Sequence, residues 1–308
     1  MLDSSQILTA ASIGVIILLF LALSVFLLLR GIYLKLNGES SSIFAGRPTF
    51  FILFVHCFSL LVIGAIIYSA QIEPRILSTN WYGYTSNSVN EKVRIAFLAD
   101  IDWPLCRVKP EKIAADINQF SPDIVVLGGD IVTQEEFSVL LNAMKGIQCP
   151  LKFGVIGNSS SENDAKFYKD ANIQVLDSRS ATVEVKGTKV FILGIPWFGE
   201  DLESYKPFPK DSFKVFATHT PELIPAASSA GFDLYLGAHT HGGQVRFPFE
   251  PDLFVPGEIG KLYPCGDFEV GSMIAVISKG IGIAPGYNPR LRFMCPPEIC
   301  LVEFASSK

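Results

Sequence analysis

The sequence predicts an α/β fold of two stacked sheets with helices outside, carried behind two membrane-crossing helices. Three observations lead there. Two uninterrupted apolar runs occupy the first 70 residues, strand-like and helix-like segments alternate after Val93, and several strand-like runs end in a carboxylate, amide or imidazole side chain. Early alternation of strand and helix implies a mainly parallel sheet, and the later strands, with less helix between them, a second and more antiparallel one.

Ile7 to Leu29 contains no charged residue, and Thr49 to Ala70 none apart from the titratable His56. At about 1.5 Å of rise per residue, each run is long enough to cross roughly 30 Å of hydrocarbon. These runs account for a mean hydropathy of +0.36 in a chain that is 49% hydrophobic. A cleaved signal peptide fits poorly, because MLDSSQ carries Asp3 and no Lys or Arg and the apolar run exceeds the usual core of such signals. His56 reads as a hydrogen-bonded interface residue rather than a proton carrier. Residues 1–70 are therefore expected to be a two-pass anchor with spans at about 7–29 and 49–70.

Two signals bear on orientation, and they disagree. The connecting loop carries Arg30, Lys35 and Arg47 against Glu39, which assigns it to the cytoplasm and the rest of the chain to the outside. Cys106, Cys149, Cys265, Cys295 and Cys300 form an odd set without a ligand-like CxxC, which suits reduced thiols in a cytoplasm.

Residues 71–92, with Pro74 and a Ser, Asn, Tyr and Gly mixture, read as a linker. Strands follow at Val93 to Ala99, Ile124 to Leu127 and Phe153 to Ile156. Between them the apolar spacing predicts helices over Pro110 to Phe120 and Gln134 to Lys145, and a further helix over Glu162 to Asp170. Shorter strands are expected around Ile173 to Leu176, Thr182 to Val185 and Val190 to Leu193, the last two joined by the Lys186-Gly187 turn. Val215 to Ala217, Leu234 to Leu236, Ile274 to Ser278 and Cys300 to Phe304 complete the strands, with a helix from Glu222 to about Ser228.

The chain has 25 Lys and Arg against 30 Asp and Glu, and only Asp3 and Glu39 of the acids precede Gln71. That acidic excess argues against a nucleic-acid groove, which needs clustered basic residues. No residue pattern sets an oligomeric state.

The stretch GAHTHGGQVRFP, Gly237 to Pro248, places His239 and His241 two apart at a strand end, in a chain with 4 His. Such a pair points to a divalent metal, and it has company. The run to Asp100 has Asp102 beyond it, and further runs end in Asp130, Asn158 and His219. Strands that deliver oxygen and nitrogen ligands from successive ends can assemble a metal site at one sheet edge.

Asp100 and Asp102, GGD at Asp130, GN at Asn158, THTPE at His219 and GAHTHGGQ at His239 and His241 resemble, in order and spacing, the five signature blocks of the calcineurin-like metallophosphoesterases. The likeness covers roughly Val93 to Phe304. VISKGIG and CPPEICLVEF are similar to a membrane-associated subfamily that includes UDP-2,3-diacylglucosamine pyrophosphatases of lipid A synthesis. The resemblance implies a four-layer α/β/β/α sandwich over residues 93–308 with two divalent ions, commonly Mn²⁺. It gives Asp100, Asp102 and His241 to the first ion, Asn158, His219 and His239 to the second, and Asp130 to both. A ligand set of carboxylate, amide and imidazole without thiolate suits Mn²⁺ or a similar metal. The implied reaction is hydrolysis of a phosphoester or pyrophosphate.

Two departures from the family pattern stand out. Asp102 occupies a position that is His in most relatives, which adds negative charge and favours hard cations. Ser159 stands where most relatives have a His at the scissile phosphate, which removes an acidic group from the leaving-group side. A pyrophosphate tolerates that loss better than an alkyl phosphate. Arg246 is the nearest cation to take over at the phosphate; Lys279, Arg290 and Arg292 read as exposed charges, and Ser159 is a poor nucleophile with no His beside it in sequence.

The expected function is cleavage of a lipid-linked nucleotide at a bacterial inner membrane, which requires the catalytic domain to face the cytoplasm. An exported phosphoesterase fits the loop charges instead, and a degenerate membrane scaffold is the reading from another class. The aromatic, Pro-rich segments Trp197 to Pro209 and Phe247 to Phe254 are candidates for a lipid pocket.

Overall fold

The computed structural model describes residues 4–38, 49–159, 162–197, 202–284 and 290–307. Asp3, Glu39, Arg47 and Phe198 lie outside the described residues. The chain divides into two compact units, Met1–Ala70 and Gln71–Lys308.

The first unit is built from α1 (Ser4–Leu36) and α2 (Thr49–Ile67), which continues as a π turn over Tyr68–Ile72. Both helices are long and apolar enough to cross a membrane by length and composition. They touch through Phe20 and Phe58, whose ring centroids are 5.0 Å apart, and Ser24 Oγ is 2.7 Å from His56 Nδ1. That hydrogen bond gives the His56 ring a polar partner inside the second apolar run.

In the second unit, the stretch read as a linker contains β1 (Ser78–Ser86), paired in parallel along its whole length with the last strand, β12 (Glu298–Ser306). The linker reading is therefore corrected for these nine residues. Tyr82 and Tyr84 face the core between the sheets, and Trp81 packs edge-on against Phe120 at 5.1 Å. An edge strand that mixes aromatics with Ser, Thr and Asn lacks the apolar run that identifies a buried strand.

There follow β2 (Val93–Leu98), α3 (Pro110–Phe120), β3 (Ile124–Leu127), α4 (Ser138–Lys145), β4 (Lys152–Gly154), α5 (Glu162–Asp170), β5 (Gln174–Val175), β6 (Arg179–Val185), β7 (Thr188–Ile195) and β8 (Phe213–Thr218). The remainder is α6 (Ile224–Ser229), β9 (Leu234–Gly237), α7 (Glu258–Leu262), β10 (Gly266–Val270), β11 (Met273–Ile277) and β12 (Glu298–Ser306). One six-stranded sheet has the order β1-β12-β2-β3-β4-β5, the other β10-β11-β9-β8-β7-β6. The second sheet is parallel at its centre and antiparallel only at its two edge pairings, β10–β11 and β6–β7. It is the more antiparallel of the two, as the sequence suggests, since the first sheet has only the β12–β2 pairing antiparallel. Helix α4 starts at Ser138 rather than Gln134, since Trp103 Nε1 donates to the Glu136 carbonyl at 2.9 Å and Glu135–Phe137 is held as a turn.

Side-chain alternation sorts the strands into layers. On β2, Val93, Ile95 and Phe97 join the core between the sheets while Ala96 and Leu98 face α3, α4 and α5. On β8, Phe213, Val215 and Ala217 face inward and Phe216 faces the outer cluster with Ile224 and Ala227 of α6. This two-residue period is what a sheet buried on both faces requires, and the result is a four-layer α/β/β/α sandwich. Phe208 of the candidate lipid segment belongs to the outer cluster, 5.0 Å from the Phe232 ring.

Phe213 is fully buried and its ring lies 4.7 Å from that of Phe304 on β12, so it ties the two sheets together. Phe213→Ala is expected to cost about 3–5 kcal/mol, read as a lower urea midpoint of the detergent-solubilised chain. On β12, Glu303 takes Lys92 Nζ and Arg94 Nε at 2.9 Å each. Burial alone would raise the Glu303 pKa, but these hydrogen bonds and charges hold it below its ordinary 4.5. A lowered folded pKa stabilises above the unfolded value, and the gain disappears as pH falls through the folded one. Glu303→Gln should therefore lose about 1 kcal/mol at pH 7, modest because both partners are partly exposed. The deficit should shrink on acidification below 4.5.

Candidate metal centre

Each parallel strand near the middle of the two sheets ends in one of the predicted residues. Asp100 and Asp102 follow β2, Asp130 follows β3, Asn158 follows β4, His219 follows β8, and His239 and His241 follow β9. All seven stand at the carboxyl ends of their strands, where open α/β sheets place their ligands. The extensions beyond β2 and β3 stay paired: Asp100 N donates to Gly129 O at 3.0 Å and Asp102 N to Asp130 O at 2.9 Å.

The backbone here is bent into an uncommon conformation. Asp100, Asp102, Asp130, His239 and His241 all have φ between 48° and 71°. Non-glycine residues adopt that region at an expense of about 1 kcal/mol or more, and such residues gather at functional sites. Close approach adds to the constraint. A Cβ on Gly157 would lie 2.1 Å from Asp130 Oδ1, and one on Gly280 would lie 2.6 Å from Asp100 Cβ.

The side chains converge tightly. Ligand atoms of Asp100, Asp130 and His219 lie within 4.8 Å of one another. His219 Nε2 is 2.8 Å from Asn158 Oδ1, 3.3 Å from Asp130 Oδ2 and 3.3 Å from His239 Nδ1. His241 Nε2 is 3.7 Å from Asp102 Oδ2 and 3.9 Å from Asp100 Oδ2. Backbone donors fix the carboxylates: His239 N reaches Asp100 Oδ2 at 3.1 Å and Ser159 N reaches Asp130 Oδ1 at 2.8 Å. His219 Nδ1 lies 2.7 Å from the Gly128 carbonyl, which orients the ring and leaves Nε2 turned to the cluster.

Burial dominates the electrostatics. It pushes the Asp100 carboxyl up to about 7 against the pull of His219, and it raises Asp102, where Asp100 and Asp130 add to the effect. His219 would be lowered by burial, but Asp130 and Asp100 raise it to about 9. The same imidazole overcomes burial at Asp130 and keeps that carboxyl below its usual range. Burial, then the His219 charge, brings His239 down to about 3; burial and Arg292 lower His241.

Asp100 Oδ1, both oxygens of Asp102 and Nδ1 of His241 are buried and have no hydrogen-bond partner among the described residues. Orphaned acceptors at this density are too costly for a structural role. Buried oxygen and imidazole donors without thiolates fit a hard or borderline divalent cation.

Other predicted residues fall into place differently. Arg246 Nη1 donates to Gly242 O at 3.1 Å and contacts Cys265 Sγ, and Nη2 lies 3.3 Å from Asp252. Its described partners thus include none of the seven. Arg290 is exposed as expected, whereas Lys279 pairs with the fully buried Glu298. Arg292 departs furthest from its reading as an exposed charge: it is fully buried, because backbone carbonyls that are distant in sequence close around it. Asp164 is likewise buried, accepting from Val132 N at 2.7 Å. Trp197 lies over the His239 ring at 4.9 Å. Sequence reasoning also missed the buried Glu73 and Glu298; a lone acid beside apolar residues was their only signal.

No protein-family profile matches the chain. It is 28% identical over 230 residues to phosphodiesterase YaeI of Escherichia coli, covering 68% of this chain and 81% of that protein. To the uncharacterized metallophosphoesterase YkuE of Bacillus subtilis it is 24% identical over 210 residues, covering 62% and 71%. Among solved structures, the calcineurin-like phosphoesterase YfkN of Bacillus subtilis covers 62% of this chain and 82% of its own, at 14% identity and a TM-score of 0.40. The chain is thus similar to proteins named phosphodiesterase and metallophosphoesterase, and these names agree with the carboxylate-imidazole corner built on its strand ends, which is that of a metal-dependent hydrolase.

Proposed function

We propose that this chain is a membrane-tethered dimetal hydrolase that cleaves the pyrophosphate of UDP-2,3-diacylglucosamine to UMP and 2,3-diacylglucosamine 1-phosphate. Asp100, Asp102 and His241 would hold one divalent ion, Asn158, His219 and His239 the other, and Asp130 would serve both, with Mn²⁺ as the preferred metal. Such a pair, when bound, lowers the pKa of water and neutralises phosphoryl oxygens.

The protein's own residues prepare that step. The Gly128 carbonyl holds His219 through Nδ1 and turns Nε2 toward Asp130, where the neutral imidazole would be a ligand for a divalent ion. The backbone N–H groups of Ser159 and His239 hold Asp130 and Asp100 in register.

The observation that carries the substrate class is at Ser159. Its N–H is committed to Asp130 and its hydroxyl accepts from Asn158 Nδ2 at 3.2 Å, so no imidazole stands at this position to protonate a leaving group. A phosphate leaving group needs no such acid, which favours a pyrophosphate over an alkyl phosphate. The two apolar helices supply the reason for a lipid-linked substrate, since a tether holds the centre beside the surface where diacyl chains partition. This reading puts the catalytic domain on the cytoplasmic face of a bacterial inner membrane. The second reading, an exported phosphodiesterase, is favoured by the loop charges and by the relative named phosphodiesterase YaeI. In either, Arg246 is held by Asp252 rather than by any of the seven ligand residues among the described contacts.

Detergent-purified protein with Mn²⁺ should release UMP from UDP-2,3-diacylglucosamine, followed by mass spectrometry, and Asp130→Ala should abolish turnover. Release from a phosphodiester panel without release from the lipid would select the exported enzyme. Asp102→His removes one of the carboxylates and should move the metal preference from Mg²⁺ and Mn²⁺ toward Zn²⁺, measured by competitive metal titration.

A further inference from the structure

Arg292 is fully buried, and its guanidinium spends its hydrogen bonds on main-chain carbonyls. Nε donates to Gly282 O at 2.9 Å and Nη1 to Cys295 O at 3.0 Å. Nη2 donates to Lys279 O at 2.9 Å, Gly280 O at 3.1 Å and Gly282 O at 2.7 Å. No carboxylate is among its hydrogen-bond partners in the described residues. An interior cation in that position is expensive unless its charge is answered nearby. The loop that it gathers closes on Asp100, a Cβ on Gly280 lying 2.6 Å from Asp100 Cβ, and Asp100 and Asp102 are both fully buried with orphaned oxygens.

The carbonyls it gathers belong to two loops with a specific task. In the first, Gly282 N and Ile281 N donate to Asp100 O at 2.6 and 3.2 Å, and a Cβ on Gly282 would lie 2.2 Å from Ile101 O. That loop is pressed against the backbone that carries Asp100 and Asp102. In the second, Cys295 is held by Glu73, which accepts from its N–H at 2.5 Å, and Cys295 Sγ is 3.4 Å from the carbonyl of His241. One planar, five-donor side chain therefore joins the supports of Asp100, Asp102 and His241. Among the described residues it makes no hydrogen bond to Asn158, His219 or His239. A lysine, with three donors on one nitrogen, cannot span that set.

From this we infer that Arg292 is a positioning residue for one half of the centre: by tying the two loops together it fixes the Asp100, Asp102 and His241 subsite. The inference rests on the dimetal reading and deepens it, by making the two subsites depend on different scaffolding.

The test is Mn²⁺ titration of the metal-stripped, detergent-solubilised full chain, with loading followed by calorimetry and by the electron paramagnetic resonance signal of a coupled Mn²⁺ pair. Arg292→Gln is expected to weaken one ion by about 10- to 100-fold, the range for loss of a supporting partner. The other ion should stay within about threefold of wild type, so that half-loaded protein shows an uncoupled signal. Arg292→Lys, which keeps the charge and loses the fork, should fall between the two, and it carries the test alone if Arg292→Gln does not fold. Phe216→Leu in the outer core is the control for lost stability and should leave both affinities unchanged. Equal weakening of both ions, or none, overturns the inference while the dimetal reading stands. A wild-type chain that never gives a coupled pair overturns the dimetal reading and the inference with it.

Discussion

The side chains of Asp100, Asp102 and Asp130 share one buried corner, and a protein interior holds three such groups together only if positive charge is close. In the metal-free protein part of that charge is internal. His219 sits between Asp100 and Asp130, which favour its charged form, and Arg292 lies behind the loop against Asp100. The remaining orphaned oxygens lie on Asp100 and Asp102. The rest of the architecture can be understood as support for this electrostatically demanding arrangement.

The support is provided by strand ends rather than long loops. Five parallel strands from two sheets stop at the same edge, and each ligand follows its strand by one to four residues. Left-handed φ values at five of the seven residues turn the side chains from the strand direction into the corner. That bending is stable because the chain just beyond β2 and β3 still hydrogen-bonds as if the ladder continued. A ladder on one side and close-packed glycines on the other leave each side chain little freedom, which is what a centre of fixed geometry needs.

Legibility in the sequence followed the range of the forces involved. The ligands of β2, β3, β4, β8 and β9 could be read because an apolar run that stops at a polar residue is a local pattern. The strand β1 could not, since its Tyr, Trp and Thr side chains gain their burial only from β12, more than 200 residues away. Arg292 was misread for the same reason: a charged residue between Leu291 and Phe293 looks exposed until residues 279–282 and 295 bring their carbonyls around it. Asp102 and Ser159 were visible as departures, yet only the structure places the Ser159 N–H on Asp130 and leaves the Asp102 carboxylate oxygens without a hydrogen-bond partner among the described residues.

The pairing of β1 with β12 decides where this chain can be shortened. Cutting at Val93, where apolar alternation begins, would strip the flank of β12 and leave a nine-residue edge with an open row of N–H and C=O groups, a template for aggregation. It would also take Asn80 and Tyr82 from the buried Glu298, and Glu73 from the N–H groups of Met294 and Cys295. A version freed of its apolar helices should stay soluble only if it keeps the residues from Glu73 onward, even though the first twenty of them look dispensable in the sequence.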